Sequence, residues 1–240
     1  DLESSFDVFN KPGAIEMFKI VHRDRVLLNF LENGATAGSK AIRKLPEFQN
    51  KDFMAFVSPY FKYRFKNLIN LMIEKGEANT VAAVIRKGLI MTEADVEETF
   101  SLIREDYDKK ILTQQELLNS VKSGSTTIIP KDVIDFYGSG YLTVILLAPV
   151  SFENANERLA QTGLGIFYEL TVRMKNTEAE IIVRNLSQLK MSPAISQEVR
   201  KTLIDFRNKT RPAESYTEEK SNNYQIWVIV GVVLVIIRIL

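Results

Sequence analysis

At 240 residues the chain can build one sizeable domain or two small ones, and its 31 Lys plus Arg against 30 Asp plus Glu give a formal net charge of +1. That balance lacks the cationic excess of a nucleic-acid binder, so no nucleic-acid partner is expected. With no cysteine and a single histidine, disulfides, thiolate metal sites, iron–sulfur clusters and cysteine nucleophiles all drop out.

The first helix is punctuated at both ends: Asn10 can cap it, Pro12 suits its first turn, and Asn33-Gly34 supplies a left-handed stop. Ile15, Phe18, Val21, Leu28 and Leu31 recur at helical spacing and are expected in the core. Inside this helix His22-Arg23-Asp24 and Asn29 have the spacing of a kinase catalytic loop. Neither a glycine-rich loop nor a lysine-bearing strand precedes them, so they read as solvated positions. Gly34 to Lys44 is a loop of small residues with a basic end. Pro46 to Val57 reads as helix, and Ser58-Pro59 restarts a longer one that runs to Lys75 and stops at Gly76. Phe61, Phe65, Leu68, Met72 and Ile73 form its core stripe. The interleaved Lys62, Arg64 and Lys66 with Tyr60 and Tyr63 fall on a separate, solvated face.

Two capping boxes follow, Thr92 with Asp95 and Thr113 with Glu116, and they predict helices over about 93 to 105 and 114 to 122. Between them Asp106 and Asp108 fall at positions three and five of a loop counted from Arg104, with Ile111 at position eight and Phe100 four residues ahead. The segment Thr92 to Val121 thereby resembles an EF-hand, which implies a helix-loop-helix with Asp106, Asp108 and Glu116 as its candidate metal ligands. Arg104 stands where the first acidic ligand belongs, Lys109 replaces the turn glycine and Gln115 the bidentate glutamate. A hand of that kind has lost calcium, and no calcium or other cofactor is expected.

Pro130 to Tyr137 is a short helix ended by Gly138, and the apolar run Leu142 to Val150 fits a buried helix or a buried strand equally. Ser151 is read as the cap of the next helix, a further helix covers Leu164 to Lys175, and Asn176 caps another through Leu189. Ser192-Pro193 begins the last, with Ile195, Val199, Leu203 and Phe206 on one face. The Gly138-Ser-Gly140 and Gly163-Leu-Gly165 pairs lack the third glycine of a phosphate loop and read as turns. No catalytic residues are assigned.

The chain ends differently. Residues 209–225 are polar, contain Pro212 and have no apolar period, which marks a tether, whereas 226–240 (IWVIVGVVLVIIRIL) hold one charge and are apolar on every side. That pattern predicts a transmembrane anchor, with Tyr224 and Trp227 in the near aromatic belt, Gly231 as a point of close approach and Arg238 reaching the far headgroups. Tyr224 to Leu240 rises only about 26 Å against a hydrocarbon core of about 30 Å, so the expectation is a thin bilayer, a covering neighbour or a chain that continues. Arg200, Lys201, Arg207, Lys209 and Arg211 form a basic patch suited to anionic headgroups, and Arg207, Lys209, Arg211 and Lys220 on the body side against Arg238 beyond the apolar run place the body on the cytosolic or matrix-like side.

The expected fold is therefore all-α, a multi-helix globular body over 1–208 with a sub-boundary near 123–130, then the tether and one C-terminal transmembrane helix. Such a chain reads as a non-catalytic accessory, scaffold or binding subunit held in a bilayer with membrane-protein partners. Without cysteines an organelle membrane, mitochondrial or ER, fits better than the cell surface. Two alternatives belong beside it. One is a regulatory module built on the degenerate EF-hand. The other is a tail-anchored bundle that resembles Bcl-2-type apoptosis regulators in size and tail, although the Asn-Trp-Gly-Arg motif of that family is missing.

Overall fold

A computed structural model describes residues 13–34, 45–85 and 88–210, and among them every regular element is helical. The first helix breaks in two, α1 (Ala14–Arg23) and α2 (Arg25–Asn33). Asp24 leaves helical geometry at φ −97°, ψ 95°, and its carboxylate accepts the Val26 and Leu27 amides at 3.0 and 3.2 Å. That cap shifts the phase of the buried face: Ala14, Val21, Leu27 and Phe30 are buried, whereas Ile15 and Phe18 of the expected stripe are exposed.

Pro46–Gln49 is only a 3₁₀ turn, and α3 (Lys51–Lys75) then runs without a restart at Ser58. Asn50 caps it by accepting the Asp52 and Phe53 amides. Pro59 removes one backbone donor from the helix interior. Burial of Phe53 and Val57 before it, and of Phe61 and Phe65 after it, holds the helix through the gap. After α4 (Ala78–Val84) comes α5 (Glu93–Lys122), opened by Thr92, whose hydroxyl accepts the Asp95 amide at 3.3 Å.

The predicted loop at Arg104 to Gln115 is absent, because α5 is one continuous helix of 30 residues. Phe100, Ile103, Tyr107, Ile111, Gln114, Leu118 and Val121 are buried at steps of three and four, so one apolar stripe passes straight through the supposed loop. Thr113 caps nothing; its hydroxyl donates to the Lys109 carbonyl one turn back. The helix-loop-helix and its EF-hand resemblance are thus overturned by a core face that the acidic spacing had obscured.

The run Leu142 to Val150 resolves into α7 (Gly140–Ile145), just after α6 (Lys131–Gly138), followed by a turn and a 3₁₀ segment at Val150–Phe152. The two helices expected around Ser151 and Leu164 are a single α8 (Glu153–Val172); α9 (Asn176–Leu186) follows and α10 (Pro193–Thr210) closes the described chain. Ser151 caps no helix, and Asn176 is the first helical residue of α9 rather than its cap. Contacts divide the chain into Asp1–Arg200 and Lys201–Leu240.

Within Asp1–Arg200, α5 and α8 run parallel. Arg104 stacks on Phe152, Tyr107 meets Asn156, Asp108 meets Arg158, and Leu118 lies over Gly165, in the same order along both helices. A ladder of rings crosses the core from α2 to α6: Phe30, Phe61, Phe65, Phe100, Phe152, Tyr107, Tyr141, Phe136 and Tyr137, with centroids 5.0 to 6.2 Å apart at every step. Such spacings lie within the range where aromatic pairs attract one another beyond simple burial.

Candidate functional site

Polar side chains concentrate at three places. The first is the seam between α3 and the start of α5. Ser58, fully buried one residue before Pro59, donates its hydroxyl to Asp95 Oδ2 and accepts the Thr92 amide at 2.8 Å. Thr92 Oγ1 donates to the same carboxylate at 3.1 Å, and Lys62 reaches Asp95 Oδ1 at 2.7 Å. Lys62 and Lys66 both pair with Glu98 at the rim. Partial burial pushes the Asp95 carboxyl up, but the hydrogen bonds from Lys62, Ser58 and Thr92 outweigh it and hold the group below its ordinary value. The hydrogen bond to Asp95 in turn raises Lys62. Every donor here is satisfied by a neighbour, so the seam fastens two helices and presents no free nucleophile.

Asp95→Ala strips the Ser58 and Thr92 hydroxyls of their acceptor, leaves Lys62 with Glu98 alone, and is expected to destabilise the fold by about 2 kcal/mol at neutral pH. The folded carboxyl titrates below its ordinary value of 3.8, so the stability from its ionisation is complete above that value and is lost as pH falls from there through the lower folded value. Urea denaturation over a pH series reads this: the gap between parent and variant narrows below pH 4, and a gap constant down to pH 2 contradicts the assignment.

The second place is a polar thread through the core. Tyr107 donates to Asn156 Oδ1 at 2.9 Å, Asn156 Nδ2 donates to the Lys190 carbonyl at 2.9 Å, and Lys190 Nζ donates to the Ala148 carbonyl at 2.7 Å. Burial holds the Tyr107 phenol well above its ordinary range. Tyr141 donates to Asp106 Oδ2 at 2.7 Å, and burial together with that carboxylate raises its phenol too. These phenols stay protonated and serve as donors.

The third is a surface groove of about 520 Å³, walled by Leu89, Met91, Val96, Leu146, Leu147 and Pro149, with Val150 on its lip. Glu93 and Glu97, one turn apart on α5, and Lys190 complete the lining. Glu97 accepts the Ser151 hydroxyl at 2.7 Å, and Lys190 is held by Ala148, so two of the three charged lining groups are engaged in the fold. The groove offers an apolar seat with a polar edge.

The sequence-derived metal candidates do not converge. Asp106 faces Tyr141 and Lys110, Asp108 pairs with Arg158, and Glu116 is exposed further along α5. Among the described residues no group of three or more His, Asp or Glu side chains could hold a metal ion. His22 is exposed beside Phe18, and Asp24 next to it is a helix cap. Of the basic patch, Arg200, Lys201 and Lys209 are exposed on α10 and Arg207 is half-buried, while Arg211 lies outside the described residues. The anchor residues Tyr224, Trp227, Gly231 and Arg238 lie outside them too, and among those described no helix is long and apolar enough to cross a membrane.

Ser58, Asn156 and Lys190 were invisible as site residues because their partners lie 34 to 49 positions away in sequence. The one local hint was Ser58 before a proline, which instead suggested a helix start. Comparison of the chain with known protein families, characterised proteins and solved structures finds no match.

Proposed function

We propose that this chain is a non-catalytic accessory, scaffold or binding subunit of a membrane assembly, held by one C-terminal transmembrane helix. The observation that carries this reading is the run Ile226 to Leu240, fifteen residues with Arg238 as the sole charge, behind a polar tether. Support also comes from the body. Its partly buried carboxylates Asp95 and Asp106 are engaged by Lys62 and by Tyr141, Tyr107 and Tyr141 are locked as donors, and the groove is walled by apolar side chains. A cysteine-free chain fits an organelle membrane, mitochondrial or ER, and the partners are membrane proteins retained under mild detergent.

Alkaline carbonate extraction tests the anchor directly. The full chain is expected in the membrane pellet and a chain truncated before Asn222 in the supernatant; release of both removes the basis for the reading.

A further inference from the structure

The parallel course of α5 and α8 brings their C-terminal ends to one end of the body, and that end is unusually apolar for exposed surface. Val172 is 81 % exposed, Met174 87 %, Ile128 69 % and Tyr168 53 %. Tyr168 and Val172 are one turn apart on α8, so they share a face. Arg173 donates to the Thr127 carbonyl, which ties the segment carrying Ile128 to the same helix end.

Met174 adds a backbone argument. It closes α8 in the left-handed region at φ 58°, where its amide donates to the Thr171 carbonyl and the Lys175 amide reaches back to Leu170. The ends of α2 and α3 place Gly34 and Gly76 in that conformation, and glycine adopts it without strain. Methionine at this position keeps the strain and projects a long, flexible apolar side chain into solvent.

The charges around the patch suit a lipid headgroup layer. Lys122, at the end of α5, and Lys175, just past α8, are exposed at this end. Glu169 is neutralised by Arg173 at 3.4 Å, exposed Asp132 has Lys131 beside it, and half-buried Glu178 in the first turn of α9 offsets one lysine, which leaves a small cationic excess at this end. Lysine stems lie along apolar surface while their ammonium groups seek phosphate. The fifteen residues 211–225 between α10 and the proposed anchor span at most about 50 Å when extended, which keeps the end of α10 within that distance of the bilayer.

We infer that this end of the body rests on the bilayer surface, with Ile128, Val172 and Met174 entering the interface, Tyr168 at headgroup level, and Lys122 and Lys175 on the phosphates. The inference rests on the anchor proposed above, and its test separates the two. The natural absence of cysteine permits clean single-site labelling. Full chains carrying Val172→Cys, Met174→Cys or, as a control, Val150→Cys are labelled with an environment-sensitive fluorophore and reconstituted into liposomes with and without doxyl-labelled lipid. Val150 is equally exposed, at 71 %, and sits at the opposite end of the same helix pair, about 30 Å away along α8.

Flotation of the liposomes reads the anchor, and quenching reads the contact. The expected result is a chain that floats, with blue-shifted emission at 172 and 174 that is largely lost to doxyl lipid, and unshifted emission at 150. A floating chain with water-like emission at 172 and 174 overturns the contact and leaves the anchor standing. Blue-shifted emission that doxyl lipid does not quench assigns the patch to a second copy or another protein and also overturns it. Equal quenching at all three sites removes its specificity. A chain that fails to float overturns anchor and contact together.

Discussion

Phe100→Ala is expected to lower the unfolding free energy by about 4 kcal/mol, the range for deleting a fully enclosed phenyl ring. Phe100 has no exposed surface, lies 6.1 Å from Phe65 of α3 and meets Phe152 edge-on at 5.8 Å. It is the step at which the ladder passes from the rings of α2 and α3 to those of α5, α7 and α6. Truncation leaves a cavity and also separates the two groups of rings. Two further features of the site sharpen the test. Arg104 stacks its guanidinium 4.0 Å from the Phe152 ring centroid, so that ring has a partner of its own and cannot follow the collapse freely. Tyr63, 62 % exposed on α3, provides the contrast: Tyr63→Ala is expected to stay within about 0.5 kcal/mol. Equilibrium urea unfolding followed by far-ultraviolet dichroism reads both, and a loss below 2 kcal/mol for Phe100→Ala removes the ring from its bridging role.

Gly140→Ala is expected to cost about 3 kcal/mol, far more than its single added methyl suggests. A Cβ at Gly140 would sit 2.6 Å from the Ala78 carbonyl oxygen and from Asn79 Cα, and 2.7 Å from the Ala78 carbonyl carbon. These are backbone atoms of α4, with no rotamer to yield. The helices must part, and the bond from the Gly140 amide to Asn79 Oδ1, 2.8 Å long, stretches with them. Gly165→Ala offers the comparison. Its Cβ would press closer, 2.4 Å, but against Leu118 Cδ2, the far end of a side chain that can turn away. Thermal unfolding of the two variants should rank Gly140→Ala well below Gly165→Ala. The reverse order contradicts the close approach of α4 and α7.

The parts of this fold that were legible in the sequence are those decided within one helical turn. Thr92, Pro193, Gly34, Gly76 and Gly138 each mark a helix end by a hydrogen bond or a backbone preference that needs no distant partner, and each stands within a residue of that end. Thr113 fails by the same logic, because a threonine hydroxyl can bond forward as a cap or backward within a helix, and only the buried stripe from Phe100 to Val121 chooses between them. Asp24 was the converse case, a polar residue in an apolar pattern that reads as solvated until its cap shifts the phase of Leu27 and Phe30. Ser58-Pro59 looked like a start since proline favours the first turn, yet flanking burial carried the helix across it. The seam and the polar thread depend on pairings between distant segments, and a single sequence holds no local trace of those.

The parallel alignment of α5 and α8 has a bearing on how the chain is made. Antiparallel neighbours such as α8 and α9 can close as soon as their short turn is formed, but parallel ones cannot fold back on each other directly. Residues 123–152, with α6 and α7 among them, must be laid down before α8 can return to the side of α5. During synthesis, then, α5 emerges with Leu118 lacking its α8 cover until Gly165 follows, 47 positions later. For that interval a growing chain exposes an apolar helix face that non-native contacts can cover.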